Sequence, residues 1–263
     1  MKRVFQSEWR KLRRPTLFYG TLLAVMAVTA LVTSLLFLLI DSANGNGREG
    51  QVINRAILSS FKGITIGFSG SAGLLGLVAL CVFASQTAQE YTYGTLRNLL
   101  VRQPKRLTLL AGKFMSMALF SLISVVLSAG VSIGLAFSLA GRAKVSSDLW
   151  TTAEAGTALI HTFINVFISV IAFGTIGMIL GLLLRSPISA ISIGVAWLLV
   201  IETILSAVVK NSAKWMPGQM INSIAAGGDL NSSYLHAISA LSGYLFIGVA
   251  IVSVLFRRRD VSN

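Results

Sequence analysis

Over 263 residues the sequence is 54% hydrophobic and 12% charged, with a mean hydropathy of +0.78, a balance that an ordinary soluble surface cannot accommodate. The formal charge of +13 would suit a nucleic-acid binder, but the 22 Lys and Arg alternate between rich and poor segments instead of forming one block, so no nucleic-acid partner is expected. A bilayer core of about 30 Å needs about 20 helical residues per crossing, and the expected fold class is an all-α membrane protein, one transmembrane domain over 1–263.

The first sixteen residues, MKRVFQSEWRKLRRPT, put Val4, Phe5, Trp9 and Leu12 on one helical arc and Lys2, Arg3, Arg10, Lys11, Arg13 and Arg14 on the remainder. This predicts an amphipathic helix lying at the membrane interface and ending at Pro15. Glu8 falls inside the apolar arc, where a carboxylate is costly. Either it reaches the surface or it pairs with a base from another cytoplasmic segment.

Six apolar runs of spanning length follow, at 17–40, 66–85, 107–140, 159–184, 188–208 and 235–256. The first is too long for a cleaved signal peptide and lacks an Ala-x-Ala site, so it is expected to be retained. Polar gaps carrying Arg48, Glu49 and Arg55, and then Arg142, Lys144, Asp148 and Glu154, separate successive runs, while Arg185-Ser186-Pro187 leaves room only for a tight turn. Cys81, inside the second run, is expected to pack and nothing more. The pairs Gly63-x3-Gly67, Gly130-x3-Gly134 and Gly177-x3-Gly181 permit close helix approach. Trp9, Trp150 and Trp215 fall near span ends, where tryptophan anchors to the membrane interface. His161 and His236 have no companions at metal-ligand spacing, so no metal site is expected, only interfacial hydrogen bonds.

Glu202 is the sole acid deep within a run, at a cost of a few kcal/mol on insertion scales. It either lines a path for a cationic substrate or, being toward the outer end of the fifth run, reaches headgroups or Lys210.

Segments 1–16, 86–113, 185–187 and 257–263 hold 15 of the 22 basic residues. The positive-inside rule makes those segments cytoplasmic, with both termini inside a plasma membrane of bacterial type. Anionic lipid headgroups are the expected partners of the N-terminal cluster and of Arg257-Arg258-Arg259.

The segment 86–113, QTAQEYTYGTLRNLLVRQPKRLTLLAGK, is more patterned than a linker requires. Glu90, then Gly94-Thr95-Leu96-Arg97, then Leu100, Pro104, Arg106 and Lys113 resemble the E-x3-G-T-x-R…P-x-R…K signature of the type-2 permeases of ATP-binding-cassette exporters. The likeness extends to the N-terminal helix with its glutamate, to the six spans, and to Lys214-Trp215-Met216-Pro217-Gly218, which resembles that family's short re-entrant outer helices. The resemblance implies a permease dimer, of identical or related subunits, that moves a lipophilic or amphipathic substrate outward, powered by two copies of a separate ATPase that holds ATP and Mg. It further implies that the segment after the second span is a coupling helix, with Glu90, Tyr93, Gly94, Thr95 and Arg97 meeting the ATPase. On a wheel, Glu90, Gly94, Arg97 and Val101 form one exposed polar stripe beside an apolar face of Tyr93, Leu96, Leu99 and Leu100. The residues agree that ATP is not hydrolysed by this chain, because no G-x4-G-K-[ST] loop occurs. The alternative is an ATP-independent secondary transporter or channel, although the two halves show no convincing repeat. A membrane-embedded hydrolase is disfavoured by the lack of clustered acids and histidines.

Overall fold

The computed structural model describes residues 2–40, 54–102, 105–229 and 232–258. Arg48, Glu49, Pro104 and Arg259 of the sequence argument lie outside them. The described residues form eleven α-helices with short 3-10 and π turns, and no strand occurs among them.

α1 is Lys2–Leu12. After Arg13 and Arg14, Pro15 opens α2 (Pro15–Leu38) at its first position, where a missing N–H costs nothing. A one-turn α3 (Arg55–Leu58) leads into α4 (Gly63–Thr92), and α5 (Leu96–Arg102) joins it to α6 (Arg106–Ala140). A 3-10 turn at Asp148–Thr151 precedes α7 (Ala153–Leu184). α8 (Pro187–Val195) runs through a π-helical stretch, Ala196–Ile201, into α9 (Glu202–Val208) as one crossing. A 3-10 turn (Ser212–Trp215), α10 (Pro217–Ala226) and α11 (Tyr234–Arg258) complete the chain. Six helices are long and apolar enough to cross a membrane: α2, α4, α6, α7, the α8–α9 unit and α11. The chain is a multi-pass membrane protein.

The crossings alternate in direction, so α1, the α4–α6 connection, the α7–α8 turn and the end of α11 share one end of the bundle, the basic end. The α7–α8 turn is as tight as expected: Arg185 takes a left-handed φ of 56°, Ser186 caps the N-terminus of α8, and Pro187 follows.

The closest packing is between α4 and α7. A Cβ on Gly177 would sit 2.3 Å from the Leu80 carbonyl oxygen, and one on Gly181 2.8 Å from that of Ala84, so these two glycines let the backbones touch. Gly130 and Gly134 differ: nothing lies within 4 Å of their added Cβ atoms, so that pair serves no close approach inside the chain. α2 and α6 are joined by two hydroxyl pairs one turn apart, Thr29 with Ser128 at 2.7 Å and Thr33 with Ser132 at 3.1 Å.

At the far end Trp150 corrects the expectation of an interface anchor. It is buried, edge-on to Phe37 and Phe137, and donates its indole N–H to the Leu58 carbonyl at 3.0 Å. It closes the bundle between α2, α3 and α6. Trp215 does stay exposed, edge-on to His236.

Candidate functional site

α4 does not stop where its hydropathy falls. Gln86, Thr87 and Glu90 are polar but buried, and the helix continues to Thr92 because neighbouring helices, not water, receive its last two turns. The connection to α6 therefore shrinks from the expected 86–113 to 93–105.

Four charges meet beneath that connection. Lys113, 2% exposed on α6, donates to Glu8 Oε2 of α1 at 2.7 Å, to Glu90 Oε1 of α4 at 2.8 Å and to the Gln86 carbonyl at 3.0 Å. All three ammonium donors are used. Lys11 donates to Glu90 Oε1 at 2.8 Å and to Glu8 Oε1. Two carboxylates and two ammoniums thus form a neutral ring, buried except at the half-buried Lys11, that ties α1, α4 and α6 together. Gly112 makes the approach possible, since a Cβ there would lie 2.6 Å from Val4 Cγ1. The fate of Glu8 is settled in favour of the pairing alternative. Lys113 is its partner, 105 positions away.

Burial pushes the Glu8 carboxyl up, but the Lys113 charge and hydrogen bonds from both lysines outweigh it and hold the group below its ordinary 4.5. Burial likewise lowers Lys11, and the Glu90 charge with bonds to both carboxylates raises it above its ordinary 10.5. A carboxyl lowered on folding stabilises the fold above its ordinary value and loses that contribution as pH falls through the lowered one. A raised ammonium stabilises below its ordinary value and loses that contribution as pH rises through the raised one. Melting temperature in detergent is therefore expected to be level between about pH 5 and about pH 10 and to fall on both sides. Glu8→Gln should remove much of the acid limb, and an unchanged acid limb would contradict the assignment.

The remaining coupling candidates sit above this ring. Trp9 and Phe5 are half-buried, Trp9 edge-on to Phe18 at 6.4 Å. Tyr93 is 74% exposed, and Gly94 takes a left-handed φ of 65° with nothing within 4 Å of an added Cβ. Thr95 and Arg97 are exposed. The expected continuous stripe of Glu90, Gly94, Arg97 and Val101 is not one helix face. The chain turns at Gly94, leaving Glu90 inward on α4 and Arg97 and Val101 outward on α5. Leu96, grouped with Tyr93 on the apolar face, is buried while Tyr93 is not. Arg185 extends the same surface, its guanidinium 5.7 Å from the Tyr91 ring centroid.

For Glu202 the structure shows partners that neither sequence expectation named. It is fully buried and accepts bonds from the backbone N–H groups of Gly218 and Gln219, both at 3.1 Å, and from the Trp197 indole at 3.0 Å. These N–H groups belong to the first turn of α10, which has no partners for them within the helix, and a carboxylate there also meets the positive end of the helix dipole. Glu202 caps α10 from another helix and seats it between α7, α4 and α11, with Met220, Ile221 and Ile224 buried. Among the described residues its hydrogen bonds go to Gly218, Gln219 and Trp197 and not to Lys210. Glu202→Ala, which orphans three donors, is expected to lower stability by about 2–4 kcal/mol, measured as a drop in melting temperature in detergent. Glu202→Gln should fall between, and unchanged melting in both would refute the cap. Sequence reasoning missed this role because Gly218 and Gln219 offer only backbone, which no motif marks.

Beside α10 lies a cleft of about 530 Å³ bounded by α2, α4, the π-helical stretch and α10. Its lining mixes Val32, Leu36 and Leu74 with Ser69 and Asn222. No group of three or more His, Cys, Asp or Glu able to hold a metal occurs among the described residues.

Residues 53–262 match a family model described as Protein of unknown function (DUF2705). The chain belongs to that family. The DUF2705 match takes in Glu90, Gly94, Arg97, Lys113 and Glu202, whereas Glu8 and Lys11 lie before it. No curated protein matches the chain.

Proposed function

We propose that this DUF2705 chain is the membrane-spanning permease subunit of an ATP-driven exporter. A separate ATPase docks on the exposed hinge Tyr93-Gly94-Thr95 and on Arg97, with the basic end of the bundle in the cytoplasm. The observation that carries the reading is the mounting of that hinge. It follows directly on the last turn of α4, whose Glu90 belongs to the Glu8–Lys11–Glu90–Lys113 ring, so a force applied at the hinge passes through α4 to α1 and α6. A surface loop with no partner has no need of such a foundation.

In this reading α1 is the interfacial helix, α5 is the coupling helix, and two permease subunits work with two ATPase subunits that hold ATP and Mg. The mixed cleft beside α10 suits a lipophilic or amphipathic substrate such as a drug, a peptide antibiotic or a lipid-linked molecule. Glu202 serves it by holding α10 in place, not by contacting substrate.

The test is to tag the chain at its native locus, extract it in mild detergent and identify what co-purifies. A cytoplasmic protein carrying G-x4-G-K-[ST] in a complex with two permeases supports the proposal. A chain that transports alone after reconstitution, with no such partner, would make it a secondary transporter or channel. Reporters after Asn263 and at Ser147 check the orientation: the first should read cytoplasmic and the second external.

A further inference from the structure

The basic end of the bundle holds a second cleft, of about 290 Å³, between the first turns of α6 and the last turns of α7 and α11. Its walls are hydrocarbon, with Leu107 and Phe114 from α6, Met178 and Leu182 from α7, and Val249 and Val252 from α11. Thr175 also lines it but spends its hydroxyl on the Ile171 carbonyl at 2.7 Å. From Leu107 to Phe114 the α6 wall is about 10 Å deep at the helical rise of roughly 1.5 Å per residue. That depth accommodates several methylene groups of a chain entering from the basic end.

The mouth is cationic. Lys105 and Arg106 directly precede Leu107, and Arg106 donates to the Phe256 carbonyl at 2.9 Å, joining α6 to α11 across the end of the cleft. Arg257 follows Ser253 by four residues, one turn further along the same stripe of α11, with Arg258 beside it, and both are exposed. The described acids on the neighbouring helices α1 and α4, Glu8 and Glu90, are already held by Lys11 and Lys113. A hydrocarbon pit with cations at its mouth, at the end of the bundle where three spanning helices begin or finish, has the polarity of an anionic lipid turned inside out.

We infer that this cleft binds one acyl chain of an anionic glycerophospholipid, whose phosphate is held by Lys105, Arg257 and Arg258. A zwitterionic lipid could fill the pit but would gain less at the rim, since basic side chains at a membrane surface favour net negative headgroups. The site goes beyond the transporter reading and does not depend on an ATPase.

The test uses the full chain in nanodiscs of equal phosphatidylglycerol and phosphatidylcholine, extracted into detergent, with retained lipids counted by native mass spectrometry. Phosphatidylglycerol should be retained in preference. Arg257→Gln with Arg258→Gln should lower that retention roughly 30-fold, about fivefold per arginine. Ala111→Phe, which fills the pit from α6 and leaves the rim intact, should displace the lipid as well, and Ser253→Leu does the same from α11 should the first variant melt early. A phosphatidylglycerol with a photoreactive group at its acyl terminus should label peptides of α6, α7 and α11. Equal retention of both lipids would overturn the inference. So would loss in the arginine variant with full retention in well-folded pit-filling variants, which would mean attraction of headgroups to a basic surface and no seated chain.

Discussion

Replacing Lys113 with methionine is expected to destabilise the protein by about 3–5 kcal/mol, because it leaves two buried carboxylates sharing one lysine. Lys113 is 2% exposed, and its ammonium is the hub between Glu8, Glu90 and the Gln86 carbonyl. Methionine replaces the four-carbon stem atom for atom and removes only the ammonium, so the loss reports mainly charge and not a cavity. The measurement is melting in detergent, with total membrane insertion as a control that should not change. The second arm separates pairing from mere presence. Lys113→Met combined with Glu90→Gln leaves Glu8 with Lys11 as a balanced pair, and it should recover a good part of the lost stability. Residues in direct contact couple by about 0.5–3 kcal/mol in such cycles. Additive effects of the two substitutions would show that the four charges do not act as one ring.

The spans were legible because each is a long apolar run, and nothing but lipid or protein interior can receive 20 such residues. The charge ring was legible only as a debt. Glu8 stood out as an acid on an apolar arc, and Lys113 stood seven positions into an apolar run, yet neither position names the other. Pairing them requires knowing that α1 folds back against α6, which Gly112 permits and no local pattern announces. Hydropathy also misplaced the end of the second span. Gln86, Thr87 and Glu90 look like a loop to any measure of solvent preference, but they are helical and buried, with Glu90 paired to Lys11 and Lys113 and the Gln86 carbonyl to Lys113. Glu202 shows the same limit from the other side. Its cost in a span was visible, whereas two of its three partners are backbone N–H groups available only because α10 begins beside it. Trp150 was misread for a related reason: an indole near a span end is drawn to an interface, but a nearby orphan carbonyl at Leu58 draws it inward instead.

If the chain is the proposed permease, Arg97→Glu and Gly94→Trp are expected to abolish substrate-stimulated ATP hydrolysis by the complex while leaving this chain folded. Arg97 is exposed on α5, makes no part of the ring beneath it, and points where the proposed partner docks. Against a partner that meets Arg97 with an acid, as the proposal requires, reversing its charge makes a like-charge contact, which costs several kcal/mol at an interface. Gly94 has φ of 65°, with nothing within 4 Å of an added Cβ, so a side chain can leave the backbone there without a clash at its root and would obstruct the proposed docking surface. The backbone strain of any side chain at that φ is about 1–2 kcal/mol, and asparagine bears it best. Gly94→Asn therefore separates strain from obstruction: it should keep more coupling than Gly94→Trp although both carry a Cβ. Arg142→Glu, an exposed reversal at the far end of the bundle, should alter neither ATPase association nor coupling. The readouts are co-purification of the ATPase, its activity with and without substrate, and melting of the permease alone. If Arg97→Glu and Gly94→Trp keep full association and full export, the hinge above the charge ring is not where the ATPase acts, and the ring braces the basic end for some other load.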